Sequence, residues 1–137
     1  MRVLGIEIKG SDCICIALSG SKVNFEVSSF PKKLSLKDSY NSQDVKQLSD
    51  LLTLELNNHQ IDYTAIKKRN EKGKFAGGAV SFKMEGVIQL ASSSDVSFYS
   101  GSELNKFIKS AAAAPENLSK YQHQAFFTAL KCLTEKS

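Results

Sequence analysis

Residues 2–27 read RVLGIEIKGSDCICIALSGSKVNFEV, and their period of two decides what kind of fold this chain can adopt. From Arg2 to Lys9, Leu4, Ile6 and Ile8 fall on one side and Val3, Gly5, Glu7 and Lys9 on the other, which predicts a β-strand. Gly10-Ser11-Asp12 is a turn cluster. Cys13 to Leu18 forms a second strand in which Ile14, Ile16 and Leu18 alternate with Cys13, Cys15 and Ala17. Both of its faces are apolar, which predicts a central place in a sheet. Gly20-Ser21 turns the chain again, and Val23, Phe25 and Val27 supply a third alternation. Three strands joined by short turns make an antiparallel meander.

Beyond the meander the period changes. Phe30 to Tyr40, with Pro31, reads as a loop, and Asn41 or Ser42 caps a helix whose first turn carries Asp44, where a negative charge suits the helix dipole. Val45, Leu48, Leu52 and Leu56, with Leu51 alongside, form its apolar stripe. Ile61 to Lys68 is a fourth strand. Phe75 to Ala91 is a second helix, with Phe75, Ala79, Phe82, Gly86 and Leu90 on one face and Val80, Met84, Val87 and Ala91 beside it. Gly77, Gly78 and Gly86 each cost about 1 kcal/mol relative to Ala there, so close backbone packing is expected in return. Asp95 to Tyr99 is a fifth strand, and Ser100-Gly101-Ser102-Glu103 is a capping box that opens a third helix through Leu104, Phe107 and Ile108. The alanine run 111–114 either prolongs that helix or frays before Pro115. A last helix spans Leu118 to Leu133, with Leu118, Gln122, Ala125, Phe126, Ala129 and Leu133 facing inward. The order βββαβαβαα predicts an α/β fold: a mixed five-stranded sheet with helices on both faces, in a single domain covering 1–137.

At 137 residues the chain is long enough to hold a core without disulfide or metal staples. Its apolar content of 42% and charged content of 23% are those of a soluble globular protein. The net charge of +4 and isoelectric point near 8.9 tolerate a polyanionic partner without demanding one. Cys13, Cys15 and Cys132 show no metal-ligand spacing and read as small buried hydrophobes, which indicates a reducing compartment. No signal peptide or membrane span is legible, and the expected location is the cytoplasm.

Positive charge is concentrated in KKRNEKGKFAGG, Lys67 to Gly78, where Lys67, Lys68, Arg69, Lys72 and Lys74 are offset by Glu71 alone. Cations where a strand hands over to a helix N-terminus favour a phosphate or other anion, whereas a solvated loop is the plainer reading of the same charges. The stretch is not a P-loop. Gly73-Lys74 lacks the following Ser or Thr, and Lys68 stands where the leading glycine is needed. No Ser/His/Asp or GxSxG arrangement appears. Phe127 and Tyr121 leave the main stripe of the last helix and mark either a dimer surface or additional core contacts.

The element order, with Val3-Leu4-Gly5-Ile6-Glu7 as the opening strand, Ala65-Ile66-Lys67 as the fourth, and the small-residue helix Ala76-Gly77-Gly78-Ala79, resembles the ribonuclease H-like superfamily. The closest resemblance is to its RuvC-type Holliday-junction resolvase branch. The segment KGKFAGGAVSFKMEGVIQL, Lys72 to Leu90, is also similar to a small bacterial family that brings no known activity. The resemblance to the resolvases implies about four carboxylates holding two divalent metals, which activate water against a phosphodiester. Carried onto this chain, the first acid falls at Glu7, where aspartate is usual, and the second falls at Lys67. The last pair falls on the terminal helix, where Tyr121-Gln122-His123-Gln124-Ala125 offers no acid.

The expectation is therefore a ribonuclease H-like domain without two-metal nuclease chemistry and without a cofactor. It would bind nucleic acid or another phosphate-bearing ligand through Lys67, Lys68, Arg69, Lys72 and Lys74. Glu7 is either a solvated remnant or the ion-pair partner of Lys67 across the sheet. Two alternatives remain open at this point. One is a magnesium- or manganese-dependent nuclease or phosphotransferase reorganised around Glu7, Glu71, Glu85 or His123. The other is a structural or protein-interaction module, with a homodimer as one form of it, in which the basic loop has no specific task.

Overall fold

The alternating segments at the N-terminus fold as read. In the computed structural model, which describes residues 1–69 and 78–137, β1 (Arg2–Lys9) and β2 (Asp12–Ser21) pair antiparallel along their whole lengths, from Arg2 opposite Ser19 to Lys9 opposite Asp12. β3 (Asn24–Ser28) pairs antiparallel with the second half of β2. The turn lies two residues later than expected, at Lys22-Val23, because Gly20 and Ser21 are still in the strand, so Val23 falls in the turn rather than in β3.

Among the described residues the sheet has six strands rather than the expected five. The additional strand, β4 (Lys33–Ser35), pairs with the first half of β2. It lies in the stretch expected to be a loop, where Lys33-Leu34-Ser35-Leu36-Lys37 alternates once and buries Leu34 and Leu36. That alternation is too short to stand out beside Pro31, and pairing with an existing strand supplies the rest.

α1 (Ser42–Asn58) is capped by Asn41, whose side chain accepts from the Gln43 and Asp44 amides. β5 (Tyr63–Lys67) then enters parallel to β1 on the side away from β2. α2 (Ala79–Ala91) leads to β6 (Val96–Tyr99), parallel to β5, and the strand path is β3-β2-β1-β5-β6. The beginning of the second helix expected at Phe75 to Gly77 lies outside the described residues. α3 (Gly101–Ile108) opens on the predicted capping box of Ser100 and Glu103 and stops before the alanine run. The last helix begins as a short 3-10 turn, Lys120–Gln122, and continues as α4 (His123–Lys136).

Alternation divides the core into two layers. Leu4, Ile6 and Ile8 of β1, with Cys13, Cys15 and Ile66, pack beneath Leu48, Leu52 and Leu56 of α1 and Met84, Val87 and Ile88 of α2. Val3, Ile14, Ile16, Leu18 and Ala65 pack on the other face, against Leu104 of α3 and Ala125, Phe126, Ala129 and Leu133 of α4. Each fully buried Leu or Ile contributes about 1.5–3 kcal/mol. Helices therefore cover both faces, as expected. Phe127 is buried and meets Phe126 edge-on at 5.1 Å, so it belongs to the core; Tyr121 remains exposed.

Two expectations about α2 are corrected. Leu90 faces solvent at 86% exposure, and the buried stripe is Ser81, Met84, Val87 and Ile88. Apolar residues lie all round this helix, so periodicity could not select the inward face. The expected backbone approach is also missing at Gly78 and Gly86, where a Cβ would meet nothing within 4 Å. It occurs instead at Gly5, where a Cβ would overlap the Ala125 carbonyl and the Ala129 amide nitrogen of α4. Gly5 thus lets α4 lie directly on β1, which determines where the N-terminal end of α4 sits. Among the described residues, no helix is long and apolar enough to cross a membrane.

Candidate functional site

The parallel pairing of β1 and β5 sets Gly5 beside Ala65 and Ile6 beside Ile66, so the next residues along, Glu7 and Lys67, become neighbours. Both side chains lie on the face covered by α4, since Val3 and Ala65, two residues earlier on each strand, pack there. Close seating of α4 on Gly5 brings the first turn of that helix over the same point. Lys67 Nζ lies 3.6 Å from Glu7 Oε2 and donates to Gln124 Oε1 at 3.1 Å. Lys9 Nζ stands 3.8 Å from Glu7 Oε1. Glu7 is buried, and among the described residues its Oε1 finds no hydrogen-bond donor. The carboxylate is thus held by two ammonium groups at ion-pair distance, and of the two alternatives for Glu7 the pair with Lys67 is the one formed.

Arg69 is also committed inward. Its Nη1 donates to the Ile8 carbonyl at 2.8 Å, and its amide donates to Glu85 Oε2 at 3.2 Å, tying the end of β5 to β1 and α2. Lys68 is exposed, and its amide donates to the Tyr99 carbonyl at 2.7 Å. Lys72, Lys74 and Glu71 lie outside the described residues. Of the cations singled out in the sequence, the three within the described residues differ in placement: Lys67 and Arg69 are half-buried and Lys68 is exposed. Two contributors escaped the sequence reading. Lys9 was visible only as a polar position in the strand alternation, and the neutral amide Gln124 carried no signal until α4 was placed.

Beside Arg69, a cavity of about 470 Å³ is lined by Gly10, Ser11 and the first residues of α2, Gly78 to Ser81. Gly78 caps α2 without a side chain, and the Ser81 hydroxyl donates to the Gly78 carbonyl at 2.7 Å. The cavity opens where β5 hands over to a helix N-terminus, the position at which the sequence suggested an anion.

The described residues do not fit a two-metal centre. Glu7 faces a lysine where a second carboxylate is needed, Glu85 accepts from the Arg69 amide, and α4 contributes Gln124. Among the described residues there is no cluster of three or more His, Cys, Asp or Glu able to hold a metal ion. Divalent ions require several hard oxygen ligands, and an ammonium 3.6 Å from the one carboxylate opposes them electrostatically.

The thiols offer no nucleophile. Burial, with Asp12 nearby, pushes Cys13 up to about 12, and burial pushes Cys15 well above the ordinary thiol range. Burial also raises Cys132, against a smaller opposing effect of a hydrogen bond with Tyr99. Tyr99 donates to Glu135 Oε1 at 2.7 Å; burial first, and that bond second, hold its hydroxyl protonated far above the usual phenol range. These groups stay neutral at neutral pH and serve packing.

A mixed sheet in the order β3-β2-β1-β5-β6, with an antiparallel meander on one side, parallel strands on the other and helices on both faces, is a ribonuclease H-like fold. RuvC of Thermus thermophilus superposes with a TM-score of 0.74 over 95% of this chain and 92% of that one, at 10% identity. The T. thermophilus RuvC in complex with a Holliday junction substrate gives 0.69 over 95% and 90%, at 11% identity. The chain belongs to the family described as "Protein of unknown function (DUF3010)", which it matches over residues 1–132. No curated protein matches it.

Proposed function

We propose that this chain is a ribonuclease H-like binding domain that holds nucleic acid, or another phosphate-bearing ligand, at the C-terminal edge of β1 and β5 without two-metal hydrolysis. The observation that carries the reading is the position of Lys67 Nζ, between Glu7 and Gln124. A built-in cation there neutralises the first-strand acid and repels the divalent ions that hydrolysis would need. It also sets two ammonium groups, Lys9 and Lys67, against the single carboxylate of Glu7.

Lys68 and Lys9 are the exposed cations assigned to phosphate contact, with Lys72 and Lys74 adding charge from the adjoining sequence. Lys67 and Arg69 act from below by fixing the strand ends. The cavity at the N-terminus of α2 supports the same ligand class, because amides at a helix start and a neighbouring guanidinium suit an anion. Ligands of open α/β sheets also gather outside the carboxyl ends of parallel strands. The RuvC of T. thermophilus, which shares the fold, is described in complex with a Holliday junction, which favours DNA within that ligand class.

The test is fluorescence anisotropy with a labelled four-way junction and a labelled duplex, titrated at increasing salt. Binding that weakens linearly on logarithmic axes as salt rises, and that weakens further in Lys68→Ala and Lys9→Ala, is the expected result. Absence of binding at low salt refutes the proposal. Magnesium- or manganese-dependent cleavage that disappears in Glu7→Gln would overturn its non-hydrolytic half.

A further inference from the structure

Tyr40 is 92% exposed, which is unusual for an aromatic side chain, and it borders a groove of about 460 Å³ between the start of α1 and α2. Ser39, Ser42, Val45, Lys46 and Lys83 complete the lining, which among the described residues contains two lysines and no acid. Lys83 is anchored: its Nζ donates to the Ser39 carbonyl at 2.6 Å and stands 5.2 Å from the centre of the Tyr40 ring. The cation therefore sits against the ring while most of the tyrosine surface stays open. Asp38, two residues before Tyr40, accepts from the Tyr40 amide at 2.9 Å, which fixes the backbone that presents the ring. Asn41 caps the next helix, so the segment carrying Tyr40 is tied at both ends.

We infer that this groove binds single-stranded nucleic acid, with a base stacked on Tyr40 and the adjoining phosphates on Lys46 and Lys83. An aromatic face flanked by lysines is the chemistry that holds unpaired bases without regard to sequence, since every base has a π-face and every linkage a charge. Burying such a ring in a protein partner would favour an apolar rim, whereas this groove offers ammonium groups and serine hydroxyls around one valine. Charge complementarity selects the polyanion. The groove shares the ligand class of the proposed function but stands on different residues. It lies on the α1 and α2 face of the sheet, whereas the Glu7 and Lys67 pair lies under α4.

The experiment measures anisotropy of a labelled oligothymidylate of about 15 nucleotides, in parallel with a labelled duplex, for the wild-type chain and three variants. Tyr40→Ala is expected to weaken single-strand binding about tenfold and leave duplex binding unchanged. Tyr40→Phe retains wild-type affinity because the stacking face is kept. Lys46→Ala lowers the salt slope for the single strand by about one. Tyr40 is exposed, so its replacement does not threaten the fold. Single-strand affinity unchanged in Tyr40→Ala, alongside normal duplex binding, overturns the groove and leaves the strand-edge reading intact. Tyr40-dependent single-strand binding without any duplex or junction binding upholds the groove and overturns the strand-edge reading. Binding of neither overturns both.

Discussion

Replacing Gly5 by alanine tests the packing that seats the terminal helix. A Cβ at this position would lie 2.7 Å from Ala129 Cβ and overlap the Ala125 carbonyl and the Ala129 amide nitrogen. Ordinary carbon contacts are about 3.5–4.0 Å, so α4 must retreat from β1 by about 1 Å. The obstructing atoms are mostly backbone, which no rotamer change can move aside. Ala125, Phe126, Ala129, Cys132 and Leu133 are all fully buried, and retreat of α4 loosens every one of them. Overpacking alone costs about 1–3 kcal/mol, and the lost contacts place this variant at or above about 3 kcal/mol. For a domain of this size that lowers the melting temperature by on the order of 10 °C. Thermal unfolding followed by circular dichroism reads it directly, with Gly86→Ala as the internal control. A Cβ at Gly86 meets nothing, so that helix substitution should stabilise by about 0.5–1 kcal/mol. A Gly5→Ala melting point within about 3 °C of wild type would refute the close approach of α4 to β1.

Lys67→Met removes the ammonium between Glu7 and Gln124 and leaves a buried carboxylate with Lys9 as its remaining ion-pair partner. A loss of about 2 kcal/mol in urea unfolding is expected, largely relieved in the double variant with Glu7→Gln; additive losses would show that the pair is not coupled. Alkaline pH should destabilise the fold. Cys13, Cys15 and Tyr99 have folded pKa values raised above their unfolded values, so their contribution is complete below about pH 9 and is lost as pH rises. For Cys13 the loss runs from 9.0 to about 12, and Cys13→Ala should flatten that part of a melting-temperature profile against pH. Acid conditions act on Glu135, where burial pushes the pKa up but bonds from Lys131 and Tyr99 outweigh it and hold it low. Its contribution is present above the ordinary carboxylate range and disappears as pH falls through the depressed value, with a small amplitude because the side chain is half exposed.

Strict alternation over β1 and β2 made the meander legible, and the spacing of hydrophobic segments made the later strands and helices legible as elements. β4 was not, because a single buried alternation has no periodicity of its own until β2 lies beside it. The inward face of α2 was hidden for the opposite reason: Phe82, Val87, Ile88 and Leu90 are all apolar, and only contact with α1 and the sheet selects among them. At the site, the pairing of Glu7 and Lys67 could be read from two strands of known direction, since parallel register makes them adjacent. The role of Gln124 could not be read, because it depends on where α4 begins and how closely Gly5 lets it approach. Nor could the inward turn of Arg69, which follows from the free carbonyl that Ile8 presents at the end of β1.

The ammonium between Glu7 and Gln124 has one more consequence. A metal cofactor comes and goes with the ionic composition of its surroundings, whereas a lysine is supplied by translation in strict stoichiometry with the acid it faces. The positive charge that Lys67 brings to Glu7 is therefore hereditary, fixed by the sequence itself.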